Sequence, residues 1–243
     1  MAPTLRSPSS RPWALSPWSR LSKEDPATSG PNPTPVHTPV PECCTLASAG
    51  LETLPAEQQT VVRRLLPSTA TLLILAHRVT HDVEWIWYHP GGGQSPSTCA
   101  ADLHSQVVLG GVACSLREAG HRASFVPYPA KIGISFKRAA VVAGLGELGW
   151  NHLLIHPVWG NHVHLRVLLT DAELHLPRLE SRLACLECGE CVRSCPAKAL
   201  SPSRHDVEAC AAYQVAHFPA GQAPGPKCEI CLRACPLDPT ASA

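Results

Sequence analysis

The sequence predicts an α+β protein, with an α/β domain over residues 51–178 followed by a small cysteine-rich domain over residues 179–239. Three observations predict it. Strand-length apolar runs alternate with stretches of helical period between residues 54 and 170. Cysteines recur at short, regular spacing after residue 184, and the first fifty residues show neither pattern.

Ten prolines fall between Pro3 and Pro41, mixed with Ser, Thr and Gly. Such a segment cannot bury enough apolar surface to offset the entropy of ordering it, so a disordered tail is expected over residues 1–50. Arg6, Arg11 and Arg20 precede the first acid, Glu24, as in a transit peptide, but the repeated prolines oppose the amphipathic helix such a peptide needs. The start also lacks an apolar core of signal-peptide type. The apolar run at residues 71–76 is far too short to span a bilayer. A cytoplasmic protein without a membrane partner is therefore expected.

Order should begin near Leu54. Residues 55–66 read as a helix with Pro55 at its first turn, and residues 72–76 as a buried strand. The glycine-rich loop at residues 91–97 precedes a long helix over residues 98–118. Leu103, Val107, Gly111 and Cys114 follow helical spacing there, as do Val108, Val112 and Leu116, and Gly120 is placed to stop the helix. Residues 123–127 suggest a strand and residues 135–143 a helix. Residues 163–170 form a further strand in which Val163, Leu165, Val167 and Leu169 alternate with His164 and Arg166. A linker rich in Leu, Pro and Arg leads into the cysteine-rich part.

That part opens with Cys185-Leu-Glu-Cys188-Gly-Glu-Cys191-Val-Arg-Ser-Cys195-Pro196, the bacterial iron–sulfur spacing C-x₂-C-x₂-C-x₃-C-P. Cys228-Glu-Ile-Cys231-Leu-Arg-Ala-Cys235-Pro236 repeats most of it, with Cys210 upstream. Two intervening residues let a tight loop turn successive thiolates toward one cuboidal cluster. Three carry the last cysteine into a helical turn facing the neighbouring cluster, and the proline stops the helix there. Eight cysteines thus supply two [4Fe–4S] clusters, in a bacterial ferredoxin-like arrangement. In the crossed pattern, Cys185, Cys188, Cys191 and Cys235 hold the first and Cys195, Cys210, Cys228 and Cys231 the second. Zinc sites and disulfide frameworks are the competing readings, but zinc sites usually group cysteines in pairs separated by a longer loop. Clustered metal ligands also point to a reducing compartment. Cys43, Cys44, Cys99 and Cys114 lie outside the motif and read as free thiols.

Gly144-Leu-Gly-Glu-Leu-Gly149 contains G-x-G-x-x-G, the dinucleotide-binding fingerprint. That reading requires a full crossover helix after the loop, and Pro157 comes too soon. A plain turn, with glycines allowing close backbone packing, is the simpler account. His152, His156, His162 and His164 are close enough in sequence to suggest a metal, but no nearby acid or cysteine completes the set, so they read as packed or solvated. The aromatic group around Trp85, Trp87 and Tyr88 suits either core packing or the face of a flat macrocycle.

In order, Ala143-Gly-Leu-Gly-Glu-Leu-Gly-Trp-Asn-His-Leu-Leu-Ile155, Pro157-Val-Trp-Gly160, Leu165-Arg-Val-Leu-Leu-Thr-Asp171, the four-cysteine run and Cys210-Ala-Ala-Tyr213 resemble the epoxyqueuosine reductase family. This is a family of corrinoid-dependent iron–sulfur proteins related to the reductive dehalogenases. The resemblance spans residues 70 to 237. It implies a base-off cobalamin held between a corrinoid-binding α/β domain and a two-cluster domain, with the clusters relaying electrons to cobalt to reduce a substrate. It implies Gly144, Leu145, Gly146, Gly149 and Asn151 along the corrinoid, an external electron donor such as a flavodoxin or ferredoxin, and a small-molecule substrate.

This chain departs from that pattern in one chemical respect. The family places an aspartate general acid shortly upstream of the glycine loop, and residues 127–138 (PYPAKIGISFKR) contain no Asp or Glu. Reducing an epoxide needs a proton donor, and Tyr128 and Lys131 are the candidates nearest the loop. The formal net charge of +1 offers no broad surface for a phosphate backbone, so tRNA is not an expected partner. No D-x-H-x-x-G cobalamin motif occurs either; Asp102-Leu-His104 approaches it, but Val107 stands where glycine is needed. The expected function is an iron–sulfur oxidoreductase acting through a corrinoid on an unknown substrate. The alternative is an electron-transfer protein whose first domain binds no corrinoid.

Overall fold

The computed structural model describes residues 40–86, 98–128, 133–179, 184–217 and 228–237. All of these belong to one compact unit, Asn32–Ala243. The proline-rich segment up to residue 39, the loop at residues 91–97, the aromatics at 87–89, and Ala130 and Lys131 lie outside the described residues.

The first elements are β1 (Cys44–Gly50), α1 (Ala56–Leu65), β2 (Thr71–Arg78), α2 (Ala100–Glu118), β3 (Ala123–Phe125) and α3 (Phe136–Val142). They continue as the short hairpin strands β4 (Glu147–Leu148) and β5 (Leu154–Ile155), β6 (Val163–Thr170), α4 (Glu190–Ser194), α5 (Val207–His217) and α6 (Ile230–Arg233). Four strands form an antiparallel sheet in the order β1-β2-β6-β3.

β2 is apolar on both faces because both faces are covered. Leu72, Ile74 and Ala76 point with Leu165, Val167 and Leu169 toward α1 and α3, where Val62, Ala139 and Ala140 are buried against them. Leu73, Leu75 and Leu168 point the other way, against Val108, Leu109, Val112 and Leu116 of α2. Leu72, Leu73, Ile74 and Leu75 are fully buried, so truncating any of them to alanine costs about 2–5 kcal/mol. α2 ends as its sequence requires: Gly120 takes φ +87°, and the His121 N–H reaches back to the Leu116 carbonyl at 2.9 Å. α3 is capped by Ser135, whose hydroxyl accepts from the Arg138 N–H at 3.3 Å.

One expectation needs correction, and the two stripes of α2 prove to differ. Order begins before Leu54, because Cys44–Gly50, expected in the tail, is the edge strand β1 and pairs with β2 along its whole length. The Leu103, Val107 and Cys114 stripe of α2 faces solvent, with Val107 74% exposed; only the Val108, Val112 and Leu116 stripe is core.

Candidate functional site

The four-cysteine run turns where its backbone adopts left-handed conformations. Glu187 has φ +52° and Gly189 has φ +74°, on either side of Cys188. A non-glycine residue in that region is strained, and such strain concentrates at functional sites. Gly189 then starts α4, which carries Cys191 and ends at Cys195. α6 does the same in the second run, carrying Cys231 and ending just before Cys235.

The eight cysteines divide into two sets. Cys185, Cys188, Cys191 and Cys235 line one small cavity, together with Gly149, Trp150 and Asn151. Cys195, Cys210, Cys228 and Cys231 line a second cavity of about 500 Å³. The cysteine at the end of each short helix therefore faces the other helix's set. Burial, followed by the neighbouring Cys228, Cys195 and Cys210, pushes the pKa of the Cys231 thiol up to about 12. Cys191 is likewise raised by burial, and then by Cys235. Thiols crowded in this way ionise together only against a compensating cation, which is the electrostatics of a metal-thiolate site. The Ala199 N–H points at Cys195 Sγ from 3.4 Å, and Gln214 Nε2 lies 3.7 Å from Cys210 Sγ.

The larger cavity is walled by the start of α3, the start of β6 and the second cysteine set. Lys137 reaches into it and donates from Nζ to the His152 carbonyl at 2.5 Å. Burial lowers its pKa, against the opposing pull of Cys231 and Cys210. His164 and Tyr128 line the same space, with rings 5.1 Å apart. Behind them Asp102 accepts from His164 Nε2 at 3.0 Å and pairs with Arg166 Nε at 3.1 Å, while Gln106 and Thr98 donate to its other oxygen. Burial alone would raise the Asp102 carboxyl, but His164 and Arg166 outweigh it and hold the group below the ordinary carboxylate range. The polar residues of β6 therefore turn to a buried acid on α2 instead of to water. Burial pushes the Tyr128 hydroxyl up, so it stays protonated.

Of the five residues expected along a corrinoid, Asn151 lines both cavities and Gly149 the smaller one. Leu145 is core. A Cβ on Gly146, at φ +143°, would meet the Ile155 carbonyl oxygen at 2.0 Å, and one on Gly144 would meet the Arg178 side chain. Asn151 Oδ1 accepts from the Leu153 N–H at 3.1 Å, while its Nδ2 is buried with no hydrogen-bond partner among the described residues. Glu147, inside the glycine loop, accepts from the Cys185 N–H at 2.7 Å and ties the loop to the first cysteine set.

The four histidines near residues 152–164 are packed rather than gathered. His156 stacks on Trp159, His152 on His205, and His162 lies 5.1 Å from Trp85. Sequence reasoning missed Lys137 and the Asp102–His164 pair. Lys137 lay in the acid-free stretch already singled out, but its direction depends on where α3 packs. Asp102 and His164 are sixty-two positions apart, and no local pattern links them. No helix among the described residues is long and apolar enough to cross a membrane.

No family model matches the chain. An epoxyqueuosine reductase of Synechococcus sp. (strain RCC307) is 34% identical over 107 residues, 41% of this chain and 33% of that protein. The chain thus spans a third of that curated relative's length. The structure of epoxyqueuosine reductase from Bacillus subtilis, solved with its catalytic aspartate loop swung out of the active site, superposes with a TM-score of 0.56. It is 15% identical, and the match covers 80% of this chain and 61% of that one. A reductive dehalogenase whose structure suggests a mechanism for B12-dependent dehalogenation superposes with a TM-score of 0.53 at 19% identity, over 79% of this chain and 29% of that one.

Proposed function

We propose that this chain, a relative of the epoxyqueuosine reductases in sequence and of both them and the reductive dehalogenases in fold, is an iron–sulfur oxidoreductase. It passes electrons through two four-iron clusters to a reducible centre in the 500 Å³ cavity. One observation carries this reading: eight cysteines sort into two sets of four, and the cavities they line share Asn151. Four thiols at each cavity are the donor set of a four-iron cluster.

One observation supports a corrinoid edge at the larger cavity, beside the second cysteine set: Asn151 Nδ2, which has no hydrogen-bond partner among the described residues, is a buried donor awaiting an acceptor. Bound there, a corrinoid supplies a reducible cobalt, and the clusters supply single electrons. Asn151 would hold its edge, with Gly149 beside the first cluster. The remaining work belongs to the chain's own side chains. Lys137 holds a proton at Nζ in a desolvated position suited to giving it up. Asp102 fixes the orientation of His164, and Tyr128 keeps its hydroxyl protonated.

An external donor such as a flavodoxin or ferredoxin would feed the clusters. The substrate is a small molecule other than epoxyqueuosine in tRNA. One epoxyqueuosine reductase has been solved with a modified tRNA stem loop, but here the stretch that should provide the acid has none.

The test is anaerobic reconstitution with iron and sulfide, followed by cobalamin. Retention of a corrin absorption band after gel filtration, lost in Asn151→Leu, supports the reading. Clusters without retained corrin overturn it in favour of an electron-transfer protein. The packing of Gly146 against Ile155 favours that second reading, because close packing already explains a glycine there.

A further inference from the structure

Cys43 and Cys44 do not belong to the eight-cysteine system, and the fold brings them to two histidines. Cys44 is the first residue of β1 and lies directly opposite His77 in the β1–β2 register. His77 occupies the next place in the row that Leu73 and Leu75 fill under α2, so the apolar layer ends there in an imidazole. His104, on the first turns of α2, sets its ring edge-to-face with that of His77, centroids 4.6 Å apart. One ligand atom from each of Cys43, Cys44, His77 and His104 lies within 4.8 Å of the other three.

We propose that these four side chains form a structural zinc site, separate from the iron–sulfur cysteines and built to fasten the edge strand β1 to β2 and α2. Two sulfurs and two imidazole nitrogens are a standard tetrahedral zinc set. Zinc bonds of about 2.3 Å to sulfur and 2.0–2.1 Å to nitrogen put tetrahedral ligands roughly 3.3–3.8 Å apart. The two sulfurs are 3.9 Å apart, and Cys44 Sγ is 3.4 Å from His77 Nδ1.

The outer contacts fit as well. His77 Nε2 lies 3.2 Å from Glu84 Oε2, an arrangement that presents Nδ1 to a metal while its other nitrogen donates to a carboxylate. Glu84 is fixed in turn, because its Oε1 accepts from the N–H and hydroxyl of Thr80 and from the His81 N–H at 2.8–2.9 Å. Two thiolates, two neutral imidazoles and Zn²⁺ sum to zero charge, which suits a site whose Cys44 and His77 are buried. The inference does not rest on the proposed redox function.

The experiment uses the full chain with its clusters reconstituted anaerobically, then dialysed against a mild chelator and analysed for zinc and iron together. The expected result is about one zinc per chain, with an X-ray absorption shell of two sulfurs at about 2.3 Å and two nitrogens at about 2.0–2.1 Å. His104→Ala, an exposed position, should lose the zinc while keeping its iron, and Cys43→Ser should do the same. Glu84→Gln should weaken zinc binding about 10–100-fold in a competition titration. Absence of zinc, an all-sulfur shell, or full zinc retention in His104→Ala would each overturn the proposal. So would loss of iron together with zinc in both variants.

Discussion

Among the described residues that line the larger cavity, Lys137 is the one lysine or arginine, and its influence on the second cysteine set is measurable without knowing the substrate. A cation beside a cluster stabilises the added electron. Lys137→Met should therefore make the second cluster harder to reduce, by about 40 mV for an interaction on the order of 1 kcal/mol. An EPR-monitored redox titration measures this, and an unchanged or higher potential would count against the placement of Lys137. His156 makes a different prediction. Burial lowers its pKa to about 4, and Nδ1 accepts from the Val158 and Trp159 N–H groups. The unfolded chain, with a histidine pKa of about 6.5, binds the proton first, so His156 stabilises the fold fully above that pH and progressively less down to about 4. The effect amounts to about 3 kcal/mol. Denaturant melts between pH 7 and 4.5 should show a shallower pH dependence in His156→Leu than in the parent; equal slopes would contradict it.

At the scale of elements, β1 decides whether the first fifty residues are dispensable. Cys44–Gly50 pairs with Thr71–His77 and buries Cys44, Ala47 and Ala49. A chain starting at Leu51 should lose stability on the order of 5 kcal/mol, comparable with the whole stability of a small domain, and should expose the edge of β2. A melting temperature unchanged by that deletion would show β1 to be dispensable. β2 and β6 were legible because their Leu, Ile and Val patterns carry a strand signal of their own, as were α1 and α2. β1 was not. Cys44-Thr-Leu-Ala-Ser-Ala-Gly50 follows a run of prolines and has little intrinsic strand preference, so its conformation comes from the distant partner strand it pairs with, from Gly50 opposite Thr71 to Cys44 opposite His77. The same non-locality hid the buried half of β6. Alternation left open what His164 and Arg166 face, and Asp102 on α2 explains why they are buried. The cysteine runs were visible because their spacing is local; which cavity each cysteine lines depends on how α4 and α6 pack.

At the scale of the molecule, the fold resembles that of epoxyqueuosine reductases and reductive dehalogenases, while residues 127–138 hold no Asp or Glu. A reductase-deficient strain carrying this chain should therefore form no queuosine, and its appearance would show that Lys137, Tyr128 or another group replaces the missing aspartate. The proposed redox function depends on the two cysteine sets holding two clusters. The direct measurement is iron, sulfide and EPR spin quantitation on anaerobically reconstituted protein, with Cys195→Ser alongside. Two four-iron clusters give about eight irons per chain and two interacting reduced signals. In Cys195→Ser the second cluster should suffer and the first survive, because Cys195 lines the cavity of Cys210, Cys228 and Cys231. About four irons or fewer in the parent, or loss of the first cluster instead of the second in Cys195→Ser, would contradict the account.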